Sequence, residues 1–321
     1  MFKLPSLPSP RADANELADF AELLALKEVI TSAREIAAYL GRLDDNAHNE
    51  GCDDDQDDIN NHLDSVMIEL ERRASACREG YPFTLERVGT VLRHVSVDTD
   101  DRHSVYRYLL LATRLHMQND RQHAKIDGSL LFEELAAHVI QCYLGSKRAR
   151  SIVFGTAAKG GFAKKINDLC QALGEGGQFH NPEKAPVDEN DDKLDTVTWV
   201  PFTDRSRGQL IVFSQCKTGS TWGGQTASLQ PDAFVRKWMS DIPYFTPIRA
   251  FCIAESAYRV HWRKHAINAG LLFDRCRLID FCEDLPAPLL LKIRTWTEAA
   301  LESVTLSKNG GRQRVSRRNQ R

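Results

Sequence analysis

From Asp13 onward, apolar residues recur at helical spacing. Leu17, Phe20, Leu23, Leu24 and Leu26, followed by Val29, Ile30, Ile36 and Leu40, predict a helix that ends near Gly41. A second stripe, Ile59, Leu63, Val66, Met67 and Leu70, predicts a helix capped by the last aspartates of an acidic loop over residues 44–58. Two more helices are expected over 84–94 and 101–117, the latter carrying Tyr106, Leu109, Leu110 and Leu115. Residues 13–120 therefore read as an all-helical (all-α) N-terminal domain, preceded by a Pro/Ser-rich segment, 1–12, expected to be disordered.

After Gly128 the texture changes. A helix over 129–144 is followed by a strand at 151–154, a helix at 162–173 and a Gly/Pro/acid-rich loop. Strands at 194–202 and 209–217 flank a turn at 203–208. Then come a helix at 232–240, a strand at 248–254, a helix at 257–269, a short strand at 277–281 and a helix over 289–304. This order predicts an α/β domain over 128–306 with a sheet flanked by helices. Residues 307–321, with six Lys/Arg and no acid, read as a basic disordered tail.

Charge divides the chain in the same sense. Residues 1–100 carry 10 Lys/Arg against 21 Asp/Glu, whereas 101–321 carry 32 against 23. The second part is suited to a polyanion and the first to a protein partner. No apolar run approaches the roughly 18–20 residues of a membrane span, and the N-terminal residues lack an apolar signal core. A soluble, cytoplasmic protein with no membrane association is the expectation, and a homo-oligomer is compatible with it. The eight cysteines include no C-x-x-C pair, so reduced thiols are expected. His261, His265, Cys276 and Cys282 lack the paired-cysteine spacing of a closed zinc site. The glycine-rich stretch 152–161 resembles a phosphate loop, but Gly161 and Phe162 stand where its lysine and Ser/Thr belong, which argues against an NTPase.

The hairpin holds the informative chemistry. Gln215 and Lys217 share a strand face, and a turn centred near Arg205 sets Asp195 opposite Gln215. Asp188, Asp191 and Asp192 are nearby alternatives, but Asp195 alone sits inside the β-patterned segment. On the preceding helix Glu133 lies beside the core-facing stripe, whereas Glu134 shares the outer side with His138 and Gln141.

This constellation resembles the PD-(D/E)XK nuclease superfamily, most closely its Mrr-type restriction endonuclease branch. The carrying residues are Phe132-Glu133 on the first helix, Asp195 opening a strand and Gln215-Cys216-Lys217 ending the next, within residues 129–281. Two positions depart from the pattern: Leu194 replaces a proline, and Gln215 replaces an acid, as glutamine does in the Mrr branch. The resemblance implies a restriction-endonuclease-like mixed β-sheet flanked by helices and a DNA endonuclease using Mg2+, with Mn2+ as a substitute. It further implies a restriction or anti-phage defence role. Asp195, Gln215 and Glu133 would hold the metal, and Lys217 would stand beside the attacking water. Arg236, Lys237 and Arg263 are candidates for contact with the DNA backbone, and Trp222 is a candidate for contact with a sugar or base or, equally, for local packing. A nuclease-fold module that binds nucleic acid or a partner without cutting, and an RNA-cutting toxin on the same fold, stay open as alternatives.

Overall fold

The computed structural model describes residues 1–9, 11–32, 35–36, 54–86, 90–95, 99–155, 161–182 and 192–316, excluding the side chains of 54–62 and 305–316. The expected helix stop at Gly41, the acidic residues 44–53 and the glycine-rich positions 156–160 lie outside the described residues. The protein is mixed α/β and divides into two compact units, one of 1–126 with 290–321, the other of 127–289. No helix among the described residues is long and apolar enough to cross a membrane.

The first unit is not all-helical. Helix α1 (Ala14–Glu28) is capped by Asp13, which accepts from the Glu16 amide at 2.8 Å. It ends at Val29, twelve residues before Gly41, and strand β1 (Ile30–Ser32) follows. Helix α2 (Asp54–Cys77) starts within the aspartate run, so Asp54, Asp55, Asp57 and Asp58 belong to a helix rather than to a loop. The helix expected over 84–94 is instead a hairpin of β2 (Phe83–Glu86) and β3 (Val91–His94), and β1 pairs on its far side to complete a three-stranded antiparallel sheet. The physical reason is local: Phe83-Thr84-Leu85-Glu86 alternates apolar and polar with period two, a strand pattern too short to establish a helical one. Helix α3 (Asp101–Arg114) follows.

Buried charge joins the three helices. Arg73 on α2 is fully buried and reaches Asp19 at 2.7 Å, Glu22 at 3.0 Å and Glu69 at 2.8 Å. Arg114 on α3 meets the other Asp19 oxygen at 2.7 Å, and the Tyr81 and Tyr106 hydroxyls donate to Glu22 at 2.8 and 2.7 Å. The first residues are tied down rather than disordered: Phe2 is buried, and the Leu4 amide donates to the Arg114 carbonyl at 2.8 Å. A ribbon of β4 (Gln122–His123) and β5 (Ile126–Asp127) leads onward.

In the second unit, Asp127 caps helix α4 (Gly128–Tyr143) by accepting from the Ser129 and Leu130 amides. Five strands form one sheet in the order β10-β9-β8-β7-β6, built from β6 (Arg150–Val153), β7 (Thr196–Val200), β8 (Leu210–Lys217), β9 (Ile248–Ile253) and β10 (Leu271–Phe273). The β6/β7 and β7/β8 pairs are antiparallel; β8/β9 and β9/β10 are parallel. Helices α5 (Phe162–Leu173) and α6 (Pro231–Trp238) bury Phe162, Ile166, Leu169, Phe234 and Trp238 against Val197, Trp199, Ile211 and Phe213 of the sheet. Helix α7 (Trp262–Ala269) covers Phe251, Ile253 and Leu272, while α4 lies against β6, β7 and β8. The segment expected as a strand over 277–281 is helix α8 (Arg275–Asp280), because Asp274 caps it by accepting from the Arg277 amide.

The last helix, α9 (Ala287–Ser316), corrects two expectations. From Leu290 it belongs to the first unit, so the second ends before 306. Its stripe of Ile293, Trp296 and Ala300 is fully buried, with Trp296 5.2 Å from both Tyr108 and His123. It also continues as helix to Ser316, through most of the stretch expected to be a disordered tail.

His94 on β3 couples the first unit to pH. Burial, with the nearby Arg107 and His103, pushes its imidazole down from 6.5 to about 4. Folding therefore favours the neutral ring. Its contribution is complete above pH 6.5 and is lost as pH falls towards about 4, where the unfolded chain already holds the proton. The thermal midpoint should decline across that window. His94→Gln should flatten the decline, and an unchanged slope would show that other groups carry it.

Candidate functional site

The site is built at the end of the sheet where β6 stops, β7 starts and β8 stops. The β7/β8 ladder runs from Val200 opposite Leu210 to Thr196 opposite Ser214, so the next pair outward is Asp195 with Gln215. Asp195 is held by backbone on both sides. Its carbonyl accepts from the Phe154 and Gly155 amides at 2.8 and 2.9 Å, and its own amide donates to Ser214 at 2.9 Å. One carboxylate oxygen, Oδ2, accepts from the Cys216 amide at 2.6 Å, replacing the ladder partner that β8 lacks there.

The other oxygen of Asp195 and a carboxylate oxygen of Glu133 both lie beside Gly155. Around the point where a β-carbon on Gly155 would stand, Glu133 Oε2 lies at 2.8 Å and Asp195 Oδ1 at 3.1 Å. Two carboxylates from distant segments, both buried, thus converge over a residue that has no side chain. Glu134 is only half-buried. Burial pushes the Cys216 thiol well up, with the Cys252 thiol and the charges of Asp195 and Glu133 acting in the same direction.

Gln215 is fully buried, and neither atom of its amide has a hydrogen-bond partner among the described residues. A satisfied core glutamine would not be left so. Lys217, two residues on, shares its side of β8 and is half-buried at the strand end. Of the alternative aspartates, Asp188 and Asp191 lie outside the described residues. Asp192 is engaged elsewhere, accepting from the Trp238 indole at 2.6 Å and facing Lys237 at 3.4 Å.

This donor set suits a hard divalent cation. Two carboxylate oxygens face one cradle, and an amide with free capacity stands on the neighbouring position. No group of three or more His, Cys, Asp or Glu side chains gathers at one point among the described residues. A magnesium-like ion does not need one, since it keeps several waters and takes one or two carboxylates plus substrate phosphate.

The expected DNA contacts separate. Arg236 and Arg263 are exposed, Arg236 pairing with Asp232 at 2.9 Å, and Lys237 is also exposed. Trp222 is not available: it is buried, donates from its indole to Glu255 at 2.6 Å and packs on Phe251 and His265. Two residues of the site escaped the sequence reading. Gly155 was seen only as part of a glycine stretch, and Lys165, buried, donates to the Gly155 carbonyl at 2.7 Å. The signal for Lys165 is present in the sequence, since it interrupts the apolar stripe of Phe162, Ile166, Leu169 and Leu173. A cavity of about 480 Å³ lined by Phe2, Lys3, Glu16 and His116 lies in the first unit and has no part in this arrangement.

The cradle makes Gly155 testable. The nearest atoms to a β-carbon there belong to the side chains of Glu133 and Asp195, so Gly155→Ala should fold, with a lowered melting point, while forcing the carboxylates apart. Calorimetry should then show Mn2+ affinity falling about tenfold or more. Undiminished affinity would mean that the two oxygens do not share a cation. No family model matches this chain, and no curated protein or solved structure is found to be similar to it.

Proposed function

We propose that the protein is a divalent-metal-dependent endonuclease that hydrolyses DNA phosphodiester bonds, on a restriction-endonuclease-like sheet in the second unit. The observation that carries this reading is the convergence of Glu133 Oε2 and Asp195 Oδ1 over Gly155, beside the buried amide of Gln215. The order of parts supports it as well: a helix bearing the glutamate, an antiparallel pair bearing the aspartate and the Gln-Cys-Lys triplet, then parallel strands. The resemblance to Mrr-type nucleases points the same way. Such a protein would act in restriction or anti-phage defence, with the first unit meeting a partner protein.

Asp195, Glu133 and Gln215 would hold Mg2+ or Mn2+. When bound, the ion neutralises phosphate charge and acidifies a water. Asp195 serves because the Cys216 amide fixes one oxygen and leaves the other directed into the cradle. Glu133 adds the second negative charge from α4, and Gln215 offers an oxygen with no added charge. Lys217, at the strand end, would orient the attacking water and stabilise charge on the pentavalent phosphorus. Arg236, Lys237 and Arg263 would bind the DNA backbone, giving salt-sensitive affinity with little sequence preference.

The test compares wild type with Asp195→Asn, which keeps an acceptor for the Cys216 amide while removing the charge. Supercoiled plasmid and single-stranded RNA are offered with Mg2+ or Mn2+. Asp195→Asn and Lys217→Ala should abolish cutting, while DNA affinity stays within about threefold, because phosphate contacts supply most of it. DNA bound but never cut would favour a binding module. Cutting of RNA alone would favour the toxin reading.

A further inference from the structure

We propose that Lys165 is a positioning residue for the carboxylate pair, holding Gly155 by its carbonyl while Glu133 and Asp195 lie beside its α-carbon, so that the two oxygens stay converged for a cation. This rests on the cation-binding reading of the site. Lys165 occupies the buried stripe of α5, among Phe162, Ile166 and Leu169, where an aliphatic residue would pack at no electrostatic cost. A buried ammonium is expensive unless its charge is answered. Among the described residues it forms no ion pair; its partner is the Gly155 carbonyl at 2.7 Å, with the Phe154 ring centroid at 6.0 Å.

What answers the charge lies one residue away. Gly155 is fixed on three sides: its amide donates to the Asp195 carbonyl at 2.9 Å, its carbonyl accepts from Lys165, and its α-carbon faces the two carboxylate oxygens. The ammonium is therefore separated from two converging negative charges by a single peptide unit. In a poorly solvated corner that attraction is weakly screened. It offsets the repulsion between Glu133 and Asp195 that would otherwise drive them apart. Fixing the glycine by its carbonyl also fixes the floor against which both carboxylates rest.

The experiment measures Mn2+ affinity by calorimetry and cleavage in parallel, for wild type, Lys165→Met and Lys165→Arg, with folding checked by circular dichroism. Methionine fills the stripe without the charge or the donor; arginine keeps both. Lys165→Met should weaken Mn2+ binding at least tenfold while the fold persists, and Lys165→Arg should stay within about threefold of wild type. A merely structural lysine would lower the melting point and leave the affinity alone. If wild type binds Mn2+ and cuts while Lys165→Met binds equally tightly or more tightly, the role of Lys165 is overturned and the nuclease reading stands. If Lys165→Met loses Mn2+ but wild type cuts neither DNA nor RNA, the nuclease reading is overturned and the role of Lys165 stands. Wild type that binds no Mn2+ overturns both.

Discussion

The end of a β-sheet leaves backbone amides without ladder partners, and around Asp195 a single residue takes up three of them. The Phe154 and Gly155 amides of the neighbouring segment go to its carbonyl, and the Cys216 amide goes to its carboxylate. Asp195 thereby joins three strands, and its other oxygen, Oδ1, lies 3.1 Å from the point where a β-carbon on Gly155 would stand. The surrounding features follow from that position. A second carboxylate aimed at the same place requires a neighbour without a β-carbon, which is Gly155. Two buried carboxylates call for compensation nearby, which under the proposed reading Lys165, bonded to the Gly155 carbonyl, and a bound cation would supply. The sheet end is thus closed by the same residue on which the proposed chemistry depends.

How far the site was legible depended on the range of the interaction. The pairing of Asp195 with Gln215 followed from period-two alternation and a turn at 203–208, both local to one hairpin. Glu133 was legible because helical spacing separates it from Glu134. Gly155 was not, since its meaning is set by side chains from α4 and β7 that no local pattern records, and Lys165 was legible only as a charge interrupting an apolar stripe, not in its partner, Gly155. Of the two readings open for Trp222, DNA contact and local packing, the structure selects local packing, and no local pattern decides it, since the carboxylate that claims the indole, Glu255, lies 33 residues away. In the first unit the hairpin of β2 and β3 is not legible as such, because each strand is only four residues long and so gives little periodicity.

The acidic balance of the N-terminal hundred residues also acquires a different meaning. Asp19 and Glu22 are fully buried, consumed by Arg73, Arg114 and two tyrosine hydroxyls. Burial raises the Glu69 carboxyl, but the hydrogen bond from Arg72 and the charges of Arg73 and Arg72 outweigh it and hold the group below 4.5. Part of the negative charge counted in the sequence therefore acts as internal structure that orients helices rather than as a surface field. Buried ion pairs of this kind add little net stability, yet breaking one costs about 3–5 kcal/mol, so they specify which helices meet.

The position of α9 bears on how the molecule is made. Because the first unit takes in residues from Leu290 onward, the second unit is an insertion within it. A ribosome delivers residues 127–289 as one uninterrupted stretch while Tyr108 still lacks Trp296, the partner that buries it. Domains usually fold in the order of their synthesis; here the later-encoded unit has its whole sequence first. The proposed nuclease sheet can assemble while the first unit waits for α9, so of the two units the one begun first is completed second.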